Sequence, residues 1–188
     1  MFAKETYTTR RNSLKKSLGT GLLLFLGNEE SGMNYEDNTY HFRQGSTSLY
    51  FWDLPYAGLA IWISYCMDGI QPALCEKAQR VGVTETRPAA DLKKYLEKAV
   101  AKRQVIHYLP VYRAEHRLKL LDWLDIKLGM EQPSVPFIRG VVNMRNYKTA
   151  EELVEIERAC NVTADMHITA MKVLRIGTVS YTHLTLPT

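Results

Sequence analysis

The sequence has few features that would cross-link, anchor or export a protein. Three cysteines, Cys66, Cys75 and Cys160, are an odd number without C-x-x-C spacing. A disulfide framework is therefore not expected, and a reducing, cytoplasmic compartment fits best. Long hydrophobic runs are missing. The longest early one, Leu22–Leu26, is far short of the roughly 20 residues that span a bilayer. Met1 to Thr20 lacks the apolar centre of a signal peptide. Excess charge is also slight: 24 Lys and Arg against 20 Asp and Glu give +4. No basic stripe with interleaved aromatics accompanies it, so neither nucleic acid nor a membrane is expected as a partner. Internal repeats and low-complexity tracts are absent.

What the sequence does contain is an ordinary globular composition. Its 188 residues are 46% hydrophobic and 23% charged, enough to build one full core with part of another domain and too apolar for intrinsic disorder. Tyr7, Leu14 and Leu18 share one helical face, with Arg10, Arg11, Lys15 and Lys16 as its wet side. Gly19 and Gly21 end that helix. Leu22–Leu26 reads as a strand buried on both faces. Gly27 to Asn38 reads as a loop, and Thr39–Gln44, Leu49–Phe51 and Gly58–Ile63 as strands with a turn at Asp53-Leu54-Pro55. Met67 to Pro72 reads as a loop and Leu74 to Arg80 as a short helix.

A helix opening at Pro88 and running to about Lys102 follows, with Leu92, Leu96 and Ala99 on one face. Then come a strand at Val105–Leu109 and a helix at Ala114–Leu124 burying Leu118, Leu121 and Leu124. Alternation of this kind argues for an α/β sheet domain. Gly129 to Pro136 reads as a linker. Thr149 with Glu152 forms a capping box. Leu153, Ile156, Cys160, Thr163, His167, Ala170 and Leu174 continue from it at helical spacing. That predicts about seven turns ending near Gly177.

Candidate chemical groups are sparse. His107 and His116 are separated by a strand end, Pro110 and a helix start, which argues against a shared metal. Asp122 and Asp125 are read as a solvated helix end rather than an acid–base pair. His167 is read as packed against a further domain, and Cys160 as a small buried hydrophobe rather than a nucleophile. Trp52, Trp62 and Trp123 are read as packing residues. Gly19 and Gly21 do not form a phosphate loop, since they precede the strand and no Lys-Ser/Thr pair occurs.

Several stretches resemble the aminopeptidase P branch of the pita-bread metallopeptidases. Tyr7-Thr-Thr-Arg10-Arg11-Asn-Ser-Leu14 looks like that family's first helix, and Phe42-Arg43-Gln44-Gly45-Ser46 is similar to its FRQ-D-S motif. Met144 to Leu153 resembles R-x-x-K-[ST]-x-x-E-[IL], which in the family leads into the first catalytic-domain helix. Ala164 to Met171 and Arg175-Ile176-Gly177 look like the end of that helix.

The resemblance implies a creatinase/aminopeptidase P N-terminal-like α/β fold: a mixed sheet flanked by helices, then one long helix from the start of a pita-bread domain. It implies a parent enzyme that binds two Mn²⁺ ions, removes the N-terminal residue of peptides with proline in second position, and forms a homo-oligomer. The family's metal ligands lie downstream of that helix, so no catalytic, cofactor-binding or metal residue is assigned here. The chain alone is expected to be inactive and to bind no catalytic metal. A prolidase or creatinase relative and a non-catalytic binding module remain alternatives.

The expected organisation is an N-terminal domain over residues 1–140, with an internal loss near 62–68, and a linker and first catalytic-domain helix over 141–177. A tail at 178–188 resembles translated adaptor read-through. Gly45, where the family has Asp, and Ser48 and Asp53 depart from the family pattern.

Overall fold

The computed structural model describes residues 2–35, 37–63, 68–70, 79–83, 85–86 and 89–175. The chain forms two compact units, Met1–Asn146 and Tyr147–Thr188. The elements in order are α1 (Lys4–Leu18), β1 (Leu22–Leu26), α2 (Ser46–Trp52), β2 (Ala60–Ile63), β3 (Asp68–Ile70), β4 (Glu85–Thr86), α3 (Ala89–Ala101), β5 (Ile106–Tyr108), α4 (Ala114–Leu124), α5 (Val135–Asn146) and α6 (Ala150–Val173).

The first unit is built on a five-stranded mixed sheet of order β4-β3-β2-β1-β5. β1 pairs antiparallel with β2 and parallel with β5, so the apolar run Leu22–Leu26 occupies an interior strand as its composition demands. Strand alternation divides its side chains between two cores. Leu23 and Phe25 join Tyr7, Leu14, Phe51, Trp52, Phe137 and Val141 on the face covered by α1, α2 and α5. Leu22 and Leu24 join Leu92, Leu96, Ala99 and Leu120 under α3 and α4. The mixed α/β architecture is therefore the one the sequence pattern called for.

Several local expectations are corrected. Arg10 and Arg11 are not solvated: both are buried along the same α1 stripe as Tyr7 and Leu14. Their guanidinium groups donate to backbone carbonyls, Arg10 to Tyr50 O at 2.8 Å and Arg11 to Phe51 O at 2.9 Å and Val81 O at 2.7 Å. Hydropathy alone cannot foresee a cation buried in this way.

Leu49–Phe51 is helical, not a strand. The helix sets Ser48, Phe51 and Trp52 on one buried face, whereas a strand would turn Phe51 and Trp52 to opposite sides. Thr39–Gln44 forms no strand; only an isolated bridge joins Thr39 to Gly32. Residues 68–70 of the supposed loop form β3, with Asp68 opposite Ile63. Most of the expected internal loss, residues 64–67, lies outside the described residues, as do most of the helix expected at 74–80 and Pro88.

α4 has the expected limits but a rotated buried face. His116 and Leu120 are buried, while Leu118 is 56% exposed. An unforeseen helix, α5, begins at the end of the stretch read as a linker, and its Phe137 and Val141 enter the first core. Pro136 is tolerated in its opening turn, where backbone N–H groups have no helical acceptor. Ser134 Oγ accepts from the Phe137 N–H at 3.4 Å. Gly140 allows close approach to α1, for a Cβ there would meet Leu14 Cδ1 at 3.0 Å and Ser17 Oγ at 3.1 Å. The first unit includes α5 and runs to Asn146.

The second unit is α6. Its capping box is formed as the sequence suggested: Thr149 Oγ1 accepts from the Glu152 N–H at 3.3 Å, and Glu152 Oε2 accepts from the Thr149 N–H at 2.8 Å. The helix of 24 residues ends at Val173, with Leu174 as its cap. No residue of α6 is buried. No helix among the described residues is long and apolar enough to cross a membrane.

Candidate functional site

The chemistry-bearing residues of the first unit turn out to be pins in the fold. Gln44 is 2% exposed and clamps three backbone groups. Its Oε1 accepts from the Asn28 and Gly45 N–H groups, each at 2.8 Å, and its Nε2 donates to Tyr56 O at 2.7 Å. The segment leaving β1, the start of α2 and the approach to β2 are fixed by this one amide. Gly27 makes the crowding possible, since a Cβ there would lie 2.5 Å from Leu59 O.

Tyr7 performs a similar role at the other end of α2. Its hydroxyl donates to Asp53 Oδ2 at 2.9 Å and accepts from the Phe2 N–H at 3.0 Å. Burial, with the Asp53 carboxylate beside it, pushes its pKa up to about 12, so it remains a neutral donor. Asp53 itself caps α2 at φ 48°.

The two candidate histidines do not converge. His107, on β5, links two loops: Nε2 lies 3.2 Å from Thr20 O and Nδ1 2.7 Å from Ser134 Oγ. Since a carbonyl only accepts, Nε2 carries the proton, leaving Nδ1 to accept from the serine hydroxyl. His116, buried on α4, gives its Nε2–H to Gly27 O at 3.0 Å. Burial lowers its pKa, which keeps the ring neutral.

Asp122 is solvent-exposed in an ion pair with Lys93 at 2.8 Å. Asp125 has left the helix as its C-cap at φ 54°, so the two carboxylates do not form an acid–base pair. Trp52 is fully buried, and Trp123 packs at the edge of the second core. The side chain of Trp62 lies outside the described residues. Cys160 is exposed on α6, contrary to its reading as a buried hydrophobe, and His167 is exposed as well. Among the described residues no group of three or more His, Cys, Asp or Glu side chains could hold a metal ion.

A cavity of the first unit lies beyond the C-terminal ends of the parallel pair β1 and β5, with a volume of about 480 Å³. Ligands of open α/β sheets collect at such strand ends, where neighbouring connections diverge and leave a crevice. Its floor is Leu24–Leu26. The first turn of α2, the segment from Leu109 to Tyr112 and α5 form the walls, with Asn28, Ser48, His116 and Arg145 as polar groups. Arg145 Nη1 reaches Thr47 Oγ1 at 3.3 Å. Sequence reasoning missed this cleft because α5, which supplies one wall, was hidden by Pro136 and Gly140.

Comparison with known proteins gives the fold a context. Residues 7–71 match the family described as Aminopeptidase P, N-terminal domain. No curated protein sequence matches the chain. Among solved structures, the low-pH form of Escherichia coli aminopeptidase P matches at TM-score 0.77 and 19% identity, over 96% of this chain and 47% of that one. The Pseudomonas aeruginosa aminopeptidase matches at 0.76 and 19%, with the same coverage. A zinc-substituted E. coli aminopeptidase P in complex with product matches at 0.74 and 18%, again over 96% and 47%. The chain thus spans about half the length of these structures. Residues 7–71 are similar to the aminopeptidase P N-terminal domain, and the chain has the fold of the corresponding part of that enzyme.

Proposed function

We propose that the chain is the N-terminal portion of a metal-dependent Xaa-Pro aminopeptidase. In the whole enzyme the first unit would help shape the substrate cleft and subunit contacts, and α6 would open the catalytic domain. The observation that carries this reading is the fold likeness to E. coli aminopeptidase P at TM-score 0.77 over 96% of the chain, supported by the domain match at residues 7–71. That a relative is known in zinc-substituted form with product supports a metal-assisted peptidase. Two Mn²⁺ ions, a peptide substrate with proline in second position, a homo-oligomer and a cytoplasmic location complete the proposal.

The apolar side of α6 fits this reading. Leu153, Ile156 and Leu174 are 48%, 42% and 59% exposed. Nothing in the second unit's described residues covers them, so a further domain would bury an otherwise costly surface.

The test compares two proteins, each with Mn²⁺ and a peptide series varying only the second residue. One is the 188-residue chain. The other extends it in its own reading frame. The extended protein should release the N-terminal residue only when proline follows, and a chelator should abolish release; the chain alone should release nothing. Metal-dependent turnover by the chain alone would overturn the fragment reading. An extended protein confined to dipeptides would be a prolidase, and one without activity a binding module.

A further inference from the structure

We infer that the cleft beyond β1 and β5 binds a small apolar carboxylate bearing an N–H donor, as in an N-acylated apolar amino acid, with Arg145 taking the carboxylate and Asn28, Ser48 and His116 facing the donor. The inference is independent of the peptidase reading, since it concerns only side chains of the first unit.

Size admits such a ligand: the cavity of about 480 Å³ lies within the range of about 300–1,000 Å³ usual for small-molecule sites. Its walls are predominantly aliphatic, with Val111, Ile138 and Val142 among them, so the ligand body is apolar. Charge selects the head group. Arg145 is the sole ionised side chain lining the cleft, and no Asp or Glu lines it. An anion is therefore favoured over a cation, and the planar guanidinium fork matches a carboxylate. The exposed guanidinium donates to Thr47 Oγ1 at 3.3 Å and lies 5.8 Å from the centre of the Tyr50 ring, which brings it to the rim of the cleft.

The inner wall calls for a donor. His116 has committed its Nε2–H to Gly27 O, leaving Nδ1 as an acceptor. Asn28 has committed Nδ2 to Arg43 O at 2.9 Å. Its Oδ1 and the buried Ser48 Oγ find no partner among the described residues. Both atoms flank Gly45, at 3.7 and 4.0 Å from where a Cβ would sit. These open polar atoms, each able to accept a hydrogen bond, suit a ligand that brings an N–H.

The full 188-residue chain is titrated with N-acetyl-L-phenylalanine and, separately, with its uncharged methyl ester, following the methyl resonances of Val111, Ile138 and Val142. The acid should shift these resonances saturably and bind about tenfold or more tightly than the ester. Arg145→Gln should bring the acid down to the affinity of the ester.

Gly45→Asp gives a second variant that keeps the fold. Its φ of −56° suits any residue, and Asp is a preferred helix N-cap. It places a carboxylate in the cleft and should weaken the acid about tenfold while changing the ester less than about twofold. Absence of saturable methyl shifts, an ester that binds as well as the acid, or an acid indifferent to Gly45→Asp would each overturn the inference.

Discussion

Replacing Arg11 by methionine tests whether a buried cation holds the first unit together. The guanidinium, on a residue 1% exposed, donates to Phe51 O at 2.9 Å, Val81 O at 2.7 Å and Gly82 O at 3.1 Å. It therefore ties α1 to the end of α2 and to the segment at residues 81–82. Hydrogen bonds from a charged donor contribute about 1.5–3 kcal/mol each, or roughly 4–9 kcal/mol for three. Against this stands the desolvation of the guanidinium, several kcal/mol.

Methionine fills similar space and removes that desolvation cost, but strands three carbonyls. The net loss expected is about 3 kcal/mol, which for a protein of this size lowers Tm by about 6–12 °C. Lysine should do no better. It keeps the buried charge, yet its ammonium lacks the fork that reaches carbonyls on two segments. Urea unfolding followed by fluorescence is the assay, since Trp52 is buried with its ring 6.0 Å from the Arg11 guanidinium. A loss below about 1 kcal/mol for Arg11→Met, or wild-type stability in Arg11→Lys, would refute the reasoning.

Two further predictions concern the pins around β1. Gln44→Leu strands the Asn28 and Gly45 N–H groups and the Tyr56 carbonyl, and should cost about 2–4 kcal/mol in urea unfolding; near-neutral behaviour would show that solvent replaces the clamp. His116 predicts a pH dependence. Its folded pKa lies below the ordinary 6.5 because of burial, and Arg113 and Lys119 nearby oppose protonation while Glu115 favours it. The unfolded chain thus binds the extra proton more readily. The contribution of the neutral ring to stability is complete above about pH 6.5 and is lost as pH falls from there through the folded value. His116→Gln should flatten this part of the stability profile, and an unchanged profile would assign the dependence elsewhere.

Legibility in the sequence followed how local the cause was. α4 appeared at its true limits, and the Thr149–Glu152 capping box marked the start of α6, because propensity and capping act within a turn or two. Its apolar spacing carried the prediction about four residues beyond the observed end at Val173. α2 was misread because three consecutive aromatic residues suit a strand as well as a helix, and burial of Phe51 beside Trp52 decided between them. α5 was missed because Pro136 and Gly140 are poor interior helix formers; one sits in the tolerant first turn and the other yields room for Leu14. The face of α4 was misplaced because its buried histidine is satisfied only by Gly27 O, far away in sequence.

By itself, the sequence determined the α/β class, the interior strand Leu22–Leu26, the limits of α4, the start of α6 and the resemblance to aminopeptidase P. These are written in periodicity, caps and short motifs, which need no distant partner. Only the tertiary structure decided what the charged and polar residues do. Arg11, Gln44 and His116 gain their roles from carbonyl and amide groups supplied by other segments, and the cleft bounded by Asn28, Ser48 and Arg145 exists because α2 and α5 meet at the end of β1. Such roles depend on where remote backbone groups come to lie, and only the assembled fold fixes that.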